Sequence, residues 1–118
     1  MGVVSVLAQN DMYVVMYKIL AYLYDCMKRG VRPSQRHYAH DGDVLSIPYS
    51  YWAAIMHELA NHGYVSGVTV FEDMGGDLIV SDIDPMITME GVEFLQENST
   101  MKKALRFLQD TKSALPFI

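Results

Sequence analysis

His37, His40, Asp41 and Asp43 stand close together and are all of types that ligate metal ions. Two histidines three apart can share one helical face, as a zinc site on a helix requires. No second cluster of Cys or His completes a four-ligand set, and Asp41-Gly42-Asp43 has the composition of a solvated turn. Neither a metal nor another cofactor is therefore expected. His57 and His62 are five apart and do not share a helix face. Nucleophilic chemistry fares no better. Cys26 has no histidine near it in sequence and reads as a small buried hydrophobe. Ser46 and Ser50 lack a nucleophile-turn context, and Gly75-Gly76 is not followed by the Gly-Lys-Ser or Gly-Lys-Thr of a phosphate loop. Asp82 and Asp84 point the same way from a strand end, and surface charge accounts for them. The chain is expected not to be an enzyme.

A second set of polar residues suggests nucleic-acid chemistry. Trp52, Ile55, Met56 and Leu59 mark the inner face of an amphipathic helix, which leaves Tyr49, Ser50, Ala53, His57, Ala60 and Asn61 outward. Asn can read adenine and Ser can touch phosphate, and Arg32 and Arg36 could add cationic contacts. Charge opposes this use. Between Arg36 and Lys102 the chain has no Lys or Arg, yet it carries eleven Asp and Glu. Protein–DNA affinity depends largely on basic side chains replacing phosphate counterions. Glu72, Asp73 and Asp77 would meet phosphate instead, each close approach costing on the order of 1 kcal/mol even in water. A net charge of -5 and a pI near 5.1 point the same way. A DNA-binding transcriptional regulator is the alternative reading, not the first.

The elements that must position these residues follow from pattern and punctuation. Asp11 can cap a helix that runs to Arg29 and stops at Gly30, striped by Met12, Met16, Ile19, Leu20, Leu23 and Met27. Pro33 or Ser34 opens a short helix to about Tyr38 or Ala39, and Val44 to Ile47 could supply a short strand. Pro48 starts the helix reaching His62. Tyr64 to Phe71 and Leu78 to Ile83 are strands joined by Met74-Gly-Gly-Asp77, with Asp84-Pro85 ending the second. Thr88 and Ser99 can cap two further helices. The order predicts an α+β fold, a winged helix with a C-terminal helical extension. An N-terminal extension would cover 1–11, the winged-helix domain 12–98, and the C-terminal helix and tail 99–118.

Nine methionines and eight tyrosines in 118 residues supply adaptable, amphipathic contact area. Tyr13, Tyr17 and Tyr24 widen the first helix's apolar stripe, so that helix is either central in the domain or shared with a partner. Phe107 lies off the last helix's stripe, and Phe117 belongs to an apolar tail. These five aromatics are candidate contacts of a homodimer or a protein partner. No run approaches the roughly 20 apolar residues of a membrane span, and the apolar start lacks the basic flank of a secretory signal. A cytoplasmic, non-enzymatic interaction or regulatory module is expected, without a membrane partner.

Two segments carry a family resemblance. Leu59-Ala-Asn-His-Gly-Tyr-Val-Ser-Gly-Val68 resembles the helix-to-strand junction of the YjcQ family, small winged-helix proteins of bacteria and prophages. Ile87-Thr-Met-Glu-Gly-Val-Glu-Phe-Leu-Gln-Glu-Asn-Ser99 is similar to that family's later helical segment, and the likeness spans roughly Met12 to Asp110. Pro48 departs from the pattern, standing where relatives tend to have a capping Thr or Ser. The resemblance implies the winged-helix fold and a phage or mobile-element origin. It brings no activity and no catalytic residues.

Overall fold

The computed structural model describes residues 8–113 and 115. Helix α1 (Met12–Arg29) begins where the Asp11 carboxylate accepts the Tyr13 N–H at 2.9 Å, and it closes at Gly30 with Val31 N–H donating back to Cys26 O at 3.0 Å. Every residue from Val14 to Leu23 is buried. Of the two alternatives for so apolar a helix, α1 is central: α2, α3, α4, α5 and β2 all pack on it. The buried arc consequently includes Val14 and Val15, outside the expected stripe, while Met27 at its end is exposed.

Helix α2 (Gln35–Tyr38) is capped by Ser34, whose Oγ accepts from Arg36 N–H and whose own N–H donates to the Tyr22 hydroxyl at 2.8 Å. The segment from Val44 to Ile47 is not a strand. Leu45 and Ile47 are buried in the core, and the Ile47 N–H turns back to His40 O. On β2 the Val80 N–H donates to a side chain, the Tyr49 hydroxyl, at 3.0 Å rather than to a third strand. Helix α3 (Tyr49–Asn61) follows Pro48, which offers no side-chain cap. Trp52, Ile55, Met56 and Leu59 are buried as expected, and Trp52 Nε1 donates to Tyr38 O at 2.9 Å. Ala53, expected outward, is fully buried, since α3 is packed by α1 and by both strands.

Strands β1 (Val65–Glu72) and β2 (Leu78–Ile87) form a two-stranded antiparallel hairpin. Asp73 Oδ1 accepts from Gly75 and Asp77 N–H, closing the turn. Asp84-Pro85 does not end β2, which continues to Ile87. Pairing runs Ser66↔Met86 and then Val68↔Asp82, so Gly67 alone faces Ile83, Asp84 and Pro85. The bulge lets Pro85, which has no N–H to donate, sit inside a paired strand. Gly67 is at φ 74, and a Cβ there would lie 2.5 Å from Asp84 O. Only glycine fits.

Helix α4 (Met89–Glu97) is capped by Thr88 Oγ1, which accepts from Gly91 N–H at 3.0 Å. Helix α5 (Ser99–Asp110) is capped by Asn98 rather than Ser99. The Asn98 carboxamide oxygen accepts from Thr100 and Met101 N–H, and Ser99 is already helical. Met101, Ala104 and Leu108 bury α5 against α1, in the same core. The chain is thus α+β, with helices around a two-stranded antiparallel hairpin, an arrangement compatible with a winged helix.

Candidate interaction surfaces

Of the helix α3 residues proposed to face nucleic acid, three reach solvent and one is engaged within the chain. Ser50 and Asn61 are exposed, and His57 is half-buried. Tyr49 is engaged: its hydroxyl takes the Val80 N–H, and its ring lies 5.2 Å from His40 and 5.6 Å from Trp52. Arg32 and Arg36 reach solvent but each is matched by a carboxylate. Arg32 Nη1 lies 3.0 Å from Asp84 Oδ1 in the β2 bulge. Arg36 binds Asp43 Oδ2 through Nε at 3.1 Å and Nη2 at 2.8 Å. Both pairs are solvent-exposed, so each places a carboxylate beside its arginine without burying the charge.

Of the histidine–aspartate cluster only His40 and Asp41 stay close, with His40 Nε2 3.7 Å from Asp41 Oδ1. His40 Nδ1 is 3.1 Å from Ile47 O, and Asp43 belongs to Arg36. Among the described residues no three His, Cys, Asp or Glu side chains gather as a metal site. Asp82 accepts from the Tyr38 hydroxyl and from Gln35 Nε2. Burial, reinforced by that carboxylate, raises the Tyr38 pKa well above the usual phenol value. Asp82 and Asp84 therefore have separate partners and do not act as a pair.

The five aromatics expected at a self-contact are placed differently from one another. Tyr13 is exposed. Tyr17 is buried within the chain, and that burial raises its pKa. Tyr24 is half-buried with the Lys28 ammonium 4.5 Å above its ring. Phe107 is half-buried against the core, and Phe117 lies outside the described residues. Lys28 and Lys102, from the two basic ends of the sequence, do meet at one groove. That groove is built from α1, α4 and α5, with no residue of α3 or the hairpin.

Sequence reasoning missed a larger feature. Of nine exposed large apolar side chains among the described residues, five fall between Phe71 and Met89: Phe71, Met74, Ile83, Met86 and Met89. That concentrates apolar exposure on the hairpin and the start of α4. Beside the bulge, an apolar pocket of about 320 Å³ is lined by Leu23, Cys26, Met27, Val31, Pro85 and Met86. Arg32 and Asp84, the ion pair, complete its wall. The available signal was Met86, apolar and placed just beyond a proline of the kind that ends strands. Its meeting with Met27 and Val31 is tertiary and leaves no local pattern.

No described helix is long and apolar enough to cross a membrane. Compared with known proteins, the chain matches one family model, described as YjcQ protein, over residues 17–114. No curated protein and no solved structure matches it.

Proposed function

The chain belongs to the YjcQ family, and on that premise we propose that it is a winged-helix protein acting in the cytoplasm as a non-enzymatic interaction or regulatory module. It self-associates as a homodimer and meets its partners through protein surface rather than through a nucleic acid. The observation that carries this reading is the run of exposed apolar side chains from Phe71 to Met89, bordered by carboxylates. Exposed apolar groups concentrated on the hairpin and the start of α4 favour protein contact. The carboxylates, with Arg32 and Arg36 already matched, oppose phosphate.

Light scattering of the purified chain at tens of micromolar tests it. A dimer mass is expected, shifted toward monomer by Ile83→Ser with Met86→Ser. Tyr13→Ser separates the hairpin from the start of α1 as the contact. A parent protein that stays monomeric at high micromolar concentration would remove self-association from the reading.

A DNA-binding regulator is the second reading, favoured by one observation. Lys28 and Lys102 share a groove, and Lys103 and Arg106 are exposed on the same helix as Lys102. Such a protein would bind through α1 and α5, not through α3 and the hairpin. Lys102→Glu would then abolish a mobility shift that Asn61→Ala leaves intact.

A further inference from the structure

Strand β1 carries an open edge. In an antiparallel hairpin the backbone groups of alternate residues turn toward the other strand, and those of the residues between turn away. Two bonds fix which residues are which. Asp73 N–H donates to Asp77 O at 2.9 Å, so that pair bonds across the hairpin. Val80 N–H leaves the hairpin for the Tyr49 hydroxyl, so Val80 and its partner Val70 turn their backbone groups apart. Counted in twos along the register, the outward N–H and C=O groups of β1 belong to Val68, Val70 and Glu72. Among the described residues no group outside the hairpin bonds those amides.

Such an edge accepts a further strand unless Lys, Pro, a bulge or a covering element blocks it. The edge of β2 is blocked, since the Tyr49 hydroxyl occupies Val80 and Pro85 has no N–H to give. β1 contains no Lys, Arg or Pro, and its bulge at Gly67 lies before the open run. Thr69, Phe71 and Glu72 are exposed. Val68 and Val70 pack their side chains on the core, which anchors the strand.

The occupant follows from the order of residues. Laid antiparallel on itself about Val70, β1 sets Val70 against the partner's Val70, Val68 against the partner's Glu72, and Thr69 against the partner's Phe71. Val68, Val70 and Glu72 are the outward positions, so each N–H meets a C=O in register. Exposed Thr69 and Phe71 become β-branched–aromatic cross-strand pairs, a stabilising combination. Glu72 faces a valine, and the acidic turns at Asp73 and Asp77 point to opposite ends of the joined sheet. A parallel pairing in register would set Glu72 beside the partner's Glu72. We propose that two copies join β1 to β1 about a two-fold axis at Val70, turning two two-stranded hairpins into one four-stranded antiparallel sheet. This rests on the homodimer reading and names its contact.

Amide hydrogen exchange of the full chain tests it, read residue by residue at sub-micromolar and at several hundred micromolar concentration, with light scattering alongside. The Thr69 and Phe71 amides, bonded within the hairpin, should be protected at both concentrations. Those of Val68, Val70 and Glu72 should exchange freely when dilute, and at least about tenfold more slowly where dimer predominates. Two variants on the exposed face check the register. Thr69→Lys with Phe71→Lys sets like charges opposite each other and should be monomeric. Thr69→Lys with Phe71→Glu sets opposite charges there and should still dimerise. Both lose the Phe71 ring, so loss of apolar surface alone would weaken them equally. The first is also less acidic than the parent, so bulk repulsion would favour its association. A dimer whose edge amides exchange as freely as the monomer's overturns β1 pairing and leaves the homodimer reading standing. Equal association of the two variants does the same. A parent that stays monomeric at several hundred micromolar overturns both.

Discussion

Gly67→Ala is the substitution whose cost follows most directly from the backbone. Gly67 has φ 74, and a Cβ there would stand 2.5 Å from Asp84 O and 2.6 Å from Ile83 O. The left-handed conformation alone costs an alanine about 1 kcal/mol. Ordinary contact begins near 3.4 Å, so the bulge must also move out by most of an ångström, an overpacking cost of roughly 1–3 kcal/mol. Together these give about 2–4 kcal/mol, or a fall in melting temperature of roughly 8–16 °C for a domain of this size. Two other glycines separate the terms. Gly63 has φ 75, and a Cβ added there would meet nothing within 4 Å, so Gly63→Ala should lose only the conformational part, about 1 kcal/mol. Gly91 has no positive φ, but its Cβ would lie 2.2 Å from Tyr64 O, so Gly91→Ala should lose the packing part, offset by about 1 kcal/mol of helix propensity. Thermal and urea denaturation followed by far-UV circular dichroism measures all three. If Gly67→Ala melts within experimental error of Gly63→Ala, the bulge is not a close backbone approach.

The reassigned cap is testable, since Asn98→Ala should cost about 1 kcal/mol in urea denaturation while Ser99→Ala changes stability little. Stability should also fall as pH rises past the ordinary tyrosine range near 10.0, because burial raises the pKa of Tyr17, Tyr22, Tyr38 and Tyr51. The folded chain then holds phenol protons that the unfolded chain has released, which makes the slope negative there. Tyr38→Phe should flatten that fall. Lys18 acts in the opposite sense just below its ordinary 10.5, where burial leaves the folded chain with fewer protons and stability rises with pH. Melting temperature against pH for parent, Tyr38→Phe and Lys18→Met separates the two.

Local chemistry made much of this fold legible. Asp11 and Thr88 cap the helices they were expected to cap, and of the two residues expected to open α2 it is Ser34 that caps it, because a side-chain oxygen within three residues of free N–H groups is a sequence-local device. The inner face of α3 and the glycine turn of the hairpin are equally local. What could not be read depends on distant partners. Val44 to Ile47 has strand composition, but Leu45 and Ile47 turn into the core, the Ile47 N–H bonds back to His40 O, and the Val80 N–H of β2 goes to the Tyr49 hydroxyl. Asp84-Pro85 has the composition of a strand end, and becomes a bulge only because Gly67 stands across from it. Ala53 is small enough for either environment, so its burial was decided by the sheet packing over α3. Asn98 and Ser99 are both capping residues, and the choice between adjacent caps was settled by backbone geometry. Arg32 and Arg36 looked like free cations because Asp84 lies 52 positions away from the first, and because the turn at Asp41-Gly42-Asp43, though legible, does not say which side chain its carboxylate will meet.

The central claim is electrostatic: the α3 and hairpin face presents carboxylates and apolar groups, with its neighbouring arginines already matched. Fluorescence anisotropy of a mixed-sequence duplex, titrated with the chain at low ionic strength and repeated across a salt series, tests it most directly. The expected result is weak or undetectable binding that Ser50→Ala, His57→Ala and Asn61→Ala do not alter. Tight binding that weakens steeply with salt and is lost in those three variants would contradict it.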